Sequence, residues 1–126
     1  MAVIKNRHYN ILVVDRNPHI RELLKREIGL EGYNVFLAKS ATDVMEHLHS
    51  SNQIDLMIID PDIVDLEESD LVEILKWSPI PLPVVIHTFS KEDIGSHIIE
   101  KAAAVVEKGG GSIELLKQAV CEILCT

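Results

Sequence analysis

The sequence predicts an α/β fold: an open, doubly wound, five-stranded parallel sheet with helices on both faces. Five short apolar runs recur along the chain, at Asn10–Asp15, Tyr33–Ala38, Ile54–Asp60, Leu82–His87 and Ala103–Glu107. Three of these are continuous Val, Ile and Leu runs rather than alternating patterns, the mark of strands covered on both faces. Stretches of helical period separate them, and right-handed crossovers between parallel strands turn such an alternation into a doubly wound sheet.

Each helix has its own signal. Asn17 before Pro18 is an N-cap followed by proline at the first helical position, and Ile20, Leu23, Leu24 and Ile28 follow at helical spacing. Gly32 suits the exit from that helix. Ser40 with Asp43 resembles a capping box, and Ala41, Val44, Met45 and Leu48 form one stripe. Leu71, Ile74 and Leu75 mark a third helix starting near Glu67 or Glu68, its first-turn acids suiting the helix dipole. Ser90 with Asp93 is read as the cap of a fourth helix carrying Ile94, Ile98 and Ala102. Ser112 is read as the cap of a fifth, carrying Ile113, Leu116, Val120 and Leu124. Pro79, Pro81 and Pro83 cluster before the fourth strand, where a stiff connector is tolerated.

The 126 residues fit one domain spanning 1–126, with its core at about 10–125. Acids outnumber Lys and Arg by 20 to 12, giving a net charge of −8, which argues against nucleic acid or an anionic membrane as a partner. No apolar run reaches the ~18–20 residues of a membrane span, and the N-terminus lacks the apolar core of a secretory signal. Cys121 and Cys125 lie four apart with no further thiols, so they are read as reduced residues of a cytoplasmic chain. Asp60, Asp62, Asp65, Glu67, Glu68, Asp70 and Glu73 concentrate −7 in one window without a Lys or Arg. A solvated face explains most of that window; its first acids are candidates for a phosphoryl or cation site.

Ligands of doubly wound sheets bind beyond the carboxyl ends of the strands. Asp15 and Arg16 follow the first strand, and Asp60, Pro61 and Asp62 follow the third. His87, Thr88, Phe89 and Ser90 close the fourth, and Lys108 with Gly109, Gly110 and Gly111 follows the fifth. Two carboxylates, a hydroxyl and an ammonium converging on one sheet edge suit a phosphoryl group.

These motifs bring a family into view. ILVVDRNPHIRELLKREIGLEGYNV, DLMIIDPDIVD, PVVIHTFS and AAAVVEKGGG, in that order, resemble the response-regulator receiver domain of two-component signalling, which is flavodoxin-like. The resemblance implies that Asp60 is the phosphoacceptor, Thr88 the switch hydroxyl, and Lys108 the lysine that pairs with Asp60 or its acyl phosphate. It implies that Asp15, Asp60 and the backbone carbonyl of Asp62 hold Mg2+, with no other cofactor. The implied partners are a histidine kinase or phosphotransfer protein, and a downstream protein or a second copy at the fourth and fifth helices. A DNA-binding output is expected in another chain or in sequence beyond this one.

The chain departs from the family pattern in places. Arg16 stands where the family has a second magnesium-binding acid, so Asp15, Asp60, Arg16 and Lys108 sum to zero and magnesium binding is expected to be weak. Inward, the guanidinium displaces the metal; outward, a weakened site survives. Val64 replaces a common proline, Val105 an aromatic switch partner, and Gly109 the proline after the lysine, which removes the usual reason for a cis peptide there. His47 and His49 do not share a helix face, and His87 is a candidate neighbour of the site.

The leading expectation is a phosphorylatable, non-enzymatic receiver. The alternative is a pseudo-receiver, a phosphorylation-independent interaction module in which Arg16 and Lys108 hold Asp60. A flavodoxin-like small-molecule binder is disfavoured, since the turn after the first strand has no Gly- or Ser/Thr-rich phosphate cradle.

Overall fold

Five parallel strands form one sheet in the order β2-β1-β3-β4-β5 in a computed structural model that describes residues 8–63, 67, 73 and 82–125. The strands are β1 (Asn10–Val14), β2 (Asn34–Ala38), β3 (Leu56–Ile59), β4 (Val84–Thr88) and β5 (Ala104–Glu107). The described helices are α1 (Pro18–Gly29), α2 (Ala41–His49), α3 (Ser96–Lys101) and α4 (Ser112–Leu124). Thus α3 and α4 are the helices expected as fourth and fifth. The expected third helix, with Leu71, Ile74 and Leu75, lies outside the described residues, as do Val64, Pro79 and Pro81.

Side chains alternate across each strand, and here both sides are covered. Leu12, Val14, Met57, Ile59, Val84 and Ile86 pack with Val44 of α2 and Ile98 of α3. Ile11, Val13, Leu56, Ile58 and Val85 pack on the opposite face with Leu24 and Ile28 of α1 and Leu116 and Val120 of α4. This is why the strands read as continuous apolar runs. Full burial of each such side chain stabilises the fold by about 1.5–3 kcal/mol.

The helix ends refine the sequence reading. Asn17 caps α1, its side chain accepting from the His19 amide at 2.9 Å, with Pro18 first in the helix. Ser40 caps α2 by accepting from the Asp43 amide, while Asp43 accepts from Lys39 rather than from Ser40, so the box closes one residue early. Two expectations are corrected. Ser90 makes no side-chain cap; a 3-10 turn at Lys91–Asp93 follows it, and α3 starts only at Ser96 after Gly95. Ser112 is the first residue of α4 rather than its cap, because Gly111 takes that place at φ 83°, a left-handed conformation that suits glycine.

Candidate functional site

The sheet continues by single hydrogen bonds beyond its strand ends, and these bonds fix the charged residues. The Asp15 amide donates to the Ala38 carbonyl at 3.1 Å, the Asp60 amide to Val14 at 2.9 Å, and the Lys108 amide to Thr88 at 2.7 Å. The chain leaves β1, runs outward to β2 and returns to β3 on the other side, so Asp15 and Asp60 stand at the point where strand order reverses.

Lys108 joins them. Its ammonium lies 2.7 Å from Asp15 Oδ2 and 2.7 Å from Asp60 Oδ2, and all three side chains are less than a tenth exposed. Burial works against the Lys108 charge, but the hydrogen bonds and charges of Asp15 and Asp60 outweigh it and hold the ammonium above the usual lysine range. The other carboxylate oxygens brace their own loops: Asp15 Oδ1 accepts from the Asn17 amide at 2.9 Å, and Asp60 Oδ1 from the Asp62 amide at 2.8 Å. Arg21 reaches back from α1 to donate to the Asp15 carbonyl at 2.7 Å.

Arg16 turns away from this group. Its guanidinium pairs with the Asp62 carboxylate at 3.6 Å, and both side chains are mostly exposed. The expected neutral sum over Asp15, Asp60, Arg16 and Lys108 is therefore not the charge of the buried set. The guanidinium is solvated elsewhere, and Asp15, Asp60 and Lys108 alone carry −1. Nor do Arg16 and Lys108 jointly hold Asp60, as the interaction-module alternative supposed; Lys108 does so together with Asp15.

Thr88 is buried at the end of β4, its hydroxyl accepting weakly from the Ser90 amide at 3.4 Å. With Asp60, Pro61, Asp62 and Ile94 it lines an open cleft of about 400 Å³. The Lys108 ammonium also lies 4.8 Å from the centre of the Phe89 ring, whose outer side is exposed. Sequence reasoning missed Arg21 as a part of the site, and placed Phe89 at the end of the fourth strand without giving it a role. Val105 is half-buried on the α3 side of the sheet. The Lys108–Gly109 peptide is trans.

His87 lies beneath the site on the opposite side of β4 from Thr88. It is 2% exposed, its Nε2 is 3.5 Å from Ser112 Oγ, and its Nδ1 has no partner among the described residues. Burial, with the nearby Lys108 charge, pushes its pKa down to about 4, so the ring is neutral at pH 7. His47 instead bonds the Leu37 carbonyl and packs on Phe36, and both cysteines are exposed thiols outside any disulfide among the described residues.

For a divalent cation, Asp15 and Asp60 would supply two carboxylates, and the resemblance would add the Asp62 carbonyl as a neutral oxygen. Each carboxylate oxygen accepts one hydrogen bond and retains a lone pair. Mg2+ is commonly held by one or two carboxylates with water and phosphate oxygens, and these carboxylates fit that pattern. Among the described residues, no helix is long and apolar enough to cross a membrane.

Comparison with known proteins agrees with this arrangement. The chain is 29% identical over 124 residues to the CAI-1 autoinducer sensor kinase/phosphatase CqsS of Vibrio cholerae, and 35% identical over 79 residues to the DNA-binding transcriptional regulator NtrC of Proteus hauseri. These matches take in 95% and 63% of this chain but only 17% and 16% of the relatives. Among solved structures, the response regulator TrrA of Thermotoga maritima in complex with Mg2+-BeF superposes with a TM-score of 0.81 at 29% identity, covering 92% of this chain and 99% of that one. TrrA in complex with the histidine kinase ThkA gives 0.79 at 30% identity, covering 92% and 98%. The family model of the response regulator receiver domain matches residues 11–120, from the first strand into the last helix and across all the strand ends described above. With four charged or hydroxyl residues gathered at those ends, the chain belongs to the response regulator receiver domain family.

Proposed function

We propose that this chain accepts a phosphoryl group on Asp60 from the phosphohistidine of a histidine kinase or phosphotransfer protein. One observation carries the reading: a buried carboxylate lines an open cleft and shares a lysine ammonium, at 2.7 Å, with a second carboxylate. In the transfer a P–O bond forms to Asp60 as the P–N bond to the donor imidazole breaks, and the imidazole leaves with its electron pair and takes up a proton. Transfer to a weak nucleophile depends on positioning and on neutralising oxygen charge, and Lys108 supplies a cation at the attacking group. Thr88 supplies the switch hydroxyl for the phosphoryl oxygens. Asp15, Asp60 and the Asp62 carbonyl are the residues that would hold magnesium weakly; when bound, the ion neutralises phosphoryl charge. The chain is an acceptor rather than an enzyme, works in the cytoplasm, and meets its downstream partner or a second copy through α3 and α4.

The test is incubation with acetyl or carbamoyl phosphate, with and without magnesium, followed by intact mass. A gain of one phosphoryl group that disappears in Asp60→Asn is the expected result. The second reading, an interaction module that is never phosphorylated, draws on the same closed Lys108 pair. Absence of modification by small donors and by a cognate kinase would establish it instead.

A further inference from the structure

We propose that Arg16 is the second cation of the phosphoryl site, moving from Asp62 to the phosphoryl group and doing in part what a tightly bound metal would do. This rests on the reading of Asp60 as phosphoacceptor. Two cations are linked to Asp60, Lys108 directly and Arg16 through Asp62. Lys108 holds its Oδ2 directly at 2.7 Å. On the Oδ1 side, Asp60 accepts from the Asp62 amide at 2.8 Å, and the Asp62 carboxylate holds Arg16 at 3.6 Å. The guanidinium is thus tied to the residue whose amide holds the acceptor, and Asp62 itself lines the cleft.

Its present attachment is loose. Arg16 and Asp62 side chains are 59% and 79% exposed, a setting in which an ion pair contributes little and exchanges readily. Phosphorylation changes the charge that Arg16 faces. Asp15, Asp60 and Lys108 sum to −1, and replacing the Asp60 carboxylate with an acyl phosphate adds up to one further negative charge. A guanidinium restores the balance, and its planar fork matches phosphate oxygens in a bidentate way that a solvated carboxylate at 3.6 Å does not exploit. Asp62, released, is already largely in water. The transfer itself is unchanged: the P–O bond to Asp60 forms as the donor bond breaks, with Arg16 and Lys108 sharing the phosphoryl charge.

The experiment measures phosphorylation by acetyl phosphate in EDTA and in magnesium, by intact mass, for the wild type, Arg16→Ala, Arg16→Lys and Asp62→Ala. The wild type is expected to gain a phosphoryl group in EDTA. Arg16→Ala is expected to do so about tenfold or more slowly, the loss of one charge-assisted contact. Arg16→Lys recovers part of the rate, and Asp62→Ala, which frees the guanidinium, raises it. Equal metal-free rates in wild type and Arg16→Ala would overturn the proposal. A wild type modified only in magnesium would overturn it too while leaving Asp60 as acceptor. A wild type modified under neither condition, by small donors or by a kinase, would remove both readings.

Discussion

The Lys108 ammonium lies 2.7 Å from Asp60 Oδ2, with the two side chains only 6% and 7% exposed. Asp15 makes a third member of the group, so its charge is −1 with the lysine present and −2 without it. The two partners therefore differ in what their removal costs. Lys108→Met leaves two buried carboxylates without a cation and is expected to destabilise the fold by about 3–5 kcal/mol. Asp60→Asn leaves a balanced Asp15–Lys108 pair and is expected to change stability little. The lysine's contribution is complete below its ordinary value of 10.5 and is lost only as pH rises through its raised folded value. Urea unfolding of both variants at pH 7 checks this; equal losses would mean that the group is not a coupled charge cluster.

His87 predicts an acid-side dependence. Its folded pKa, about 4, lies below the ordinary 6.5, so the unfolded chain binds a proton that the folded chain refuses. Stability is therefore full above about pH 6.5 and falls as pH drops towards 4, by up to about 3 kcal/mol from this group. Burial is the first cause and Lys108 the second, while Asp15 and Asp60 oppose them. His87→Leu is expected to flatten the stability profile between pH 6.5 and 4.5. An unchanged slope in chemical denaturation would show that the ring is protonated in place or solvated on opening.

Much of this was legible from the residues, for identifiable reasons. Strands buried on both faces need apolar residues at every position, so LMII and ILVV announce themselves and the polar or charged residues that follow each run mark a strand end. Asp15, Asp60, Thr88 and Lys108 were found that way. The direction of Arg16 was not legible, since a long flexible stem reaches either inward to Asp60 or outward to Asp62, and only the fold's spacing of the two loops chooses. The starts of α3 and α4 were misassigned because serine is a good cap in the abstract. Gly95 and Gly111 in fact sit at those ends, and the latter needs a left-handed backbone that serine adopts poorly.

Asn17 gives a prediction about the scaffold alone. Its side chain holds the His19 amide, while its backbone amide holds Asp15. Asn17→Ala removes the first bond and keeps the second. The expected loss is about 1 kcal/mol, read as a fall of a few degrees in melting temperature. Phosphoryl acceptance on Asp60 should survive. A variant that melts normally but fails to accept phosphate would mean that the cap also sets the position of Asp15.

Arg16→Asp tests the account of the metal site. The substitution changes the local charge by −2 and restores a second carboxylate beside Asp15, at a position whose present occupant is mostly exposed and paired with Asp62. No buried packing is lost, so folding should be unaffected. Magnesium affinity should rise by about tenfold or more, equivalent to about 1.4 kcal/mol, a modest part of what one close charge is worth at an intermediate dielectric. Isothermal titration with magnesium gives the number directly. The same variant lacks the guanidinium, so its phosphorylation should become more dependent on magnesium than the wild type's. Unchanged affinity would mean that Lys108, paired with both carboxylates, governs magnesium binding instead, and Lys108→Met would then be the substitution that raises it.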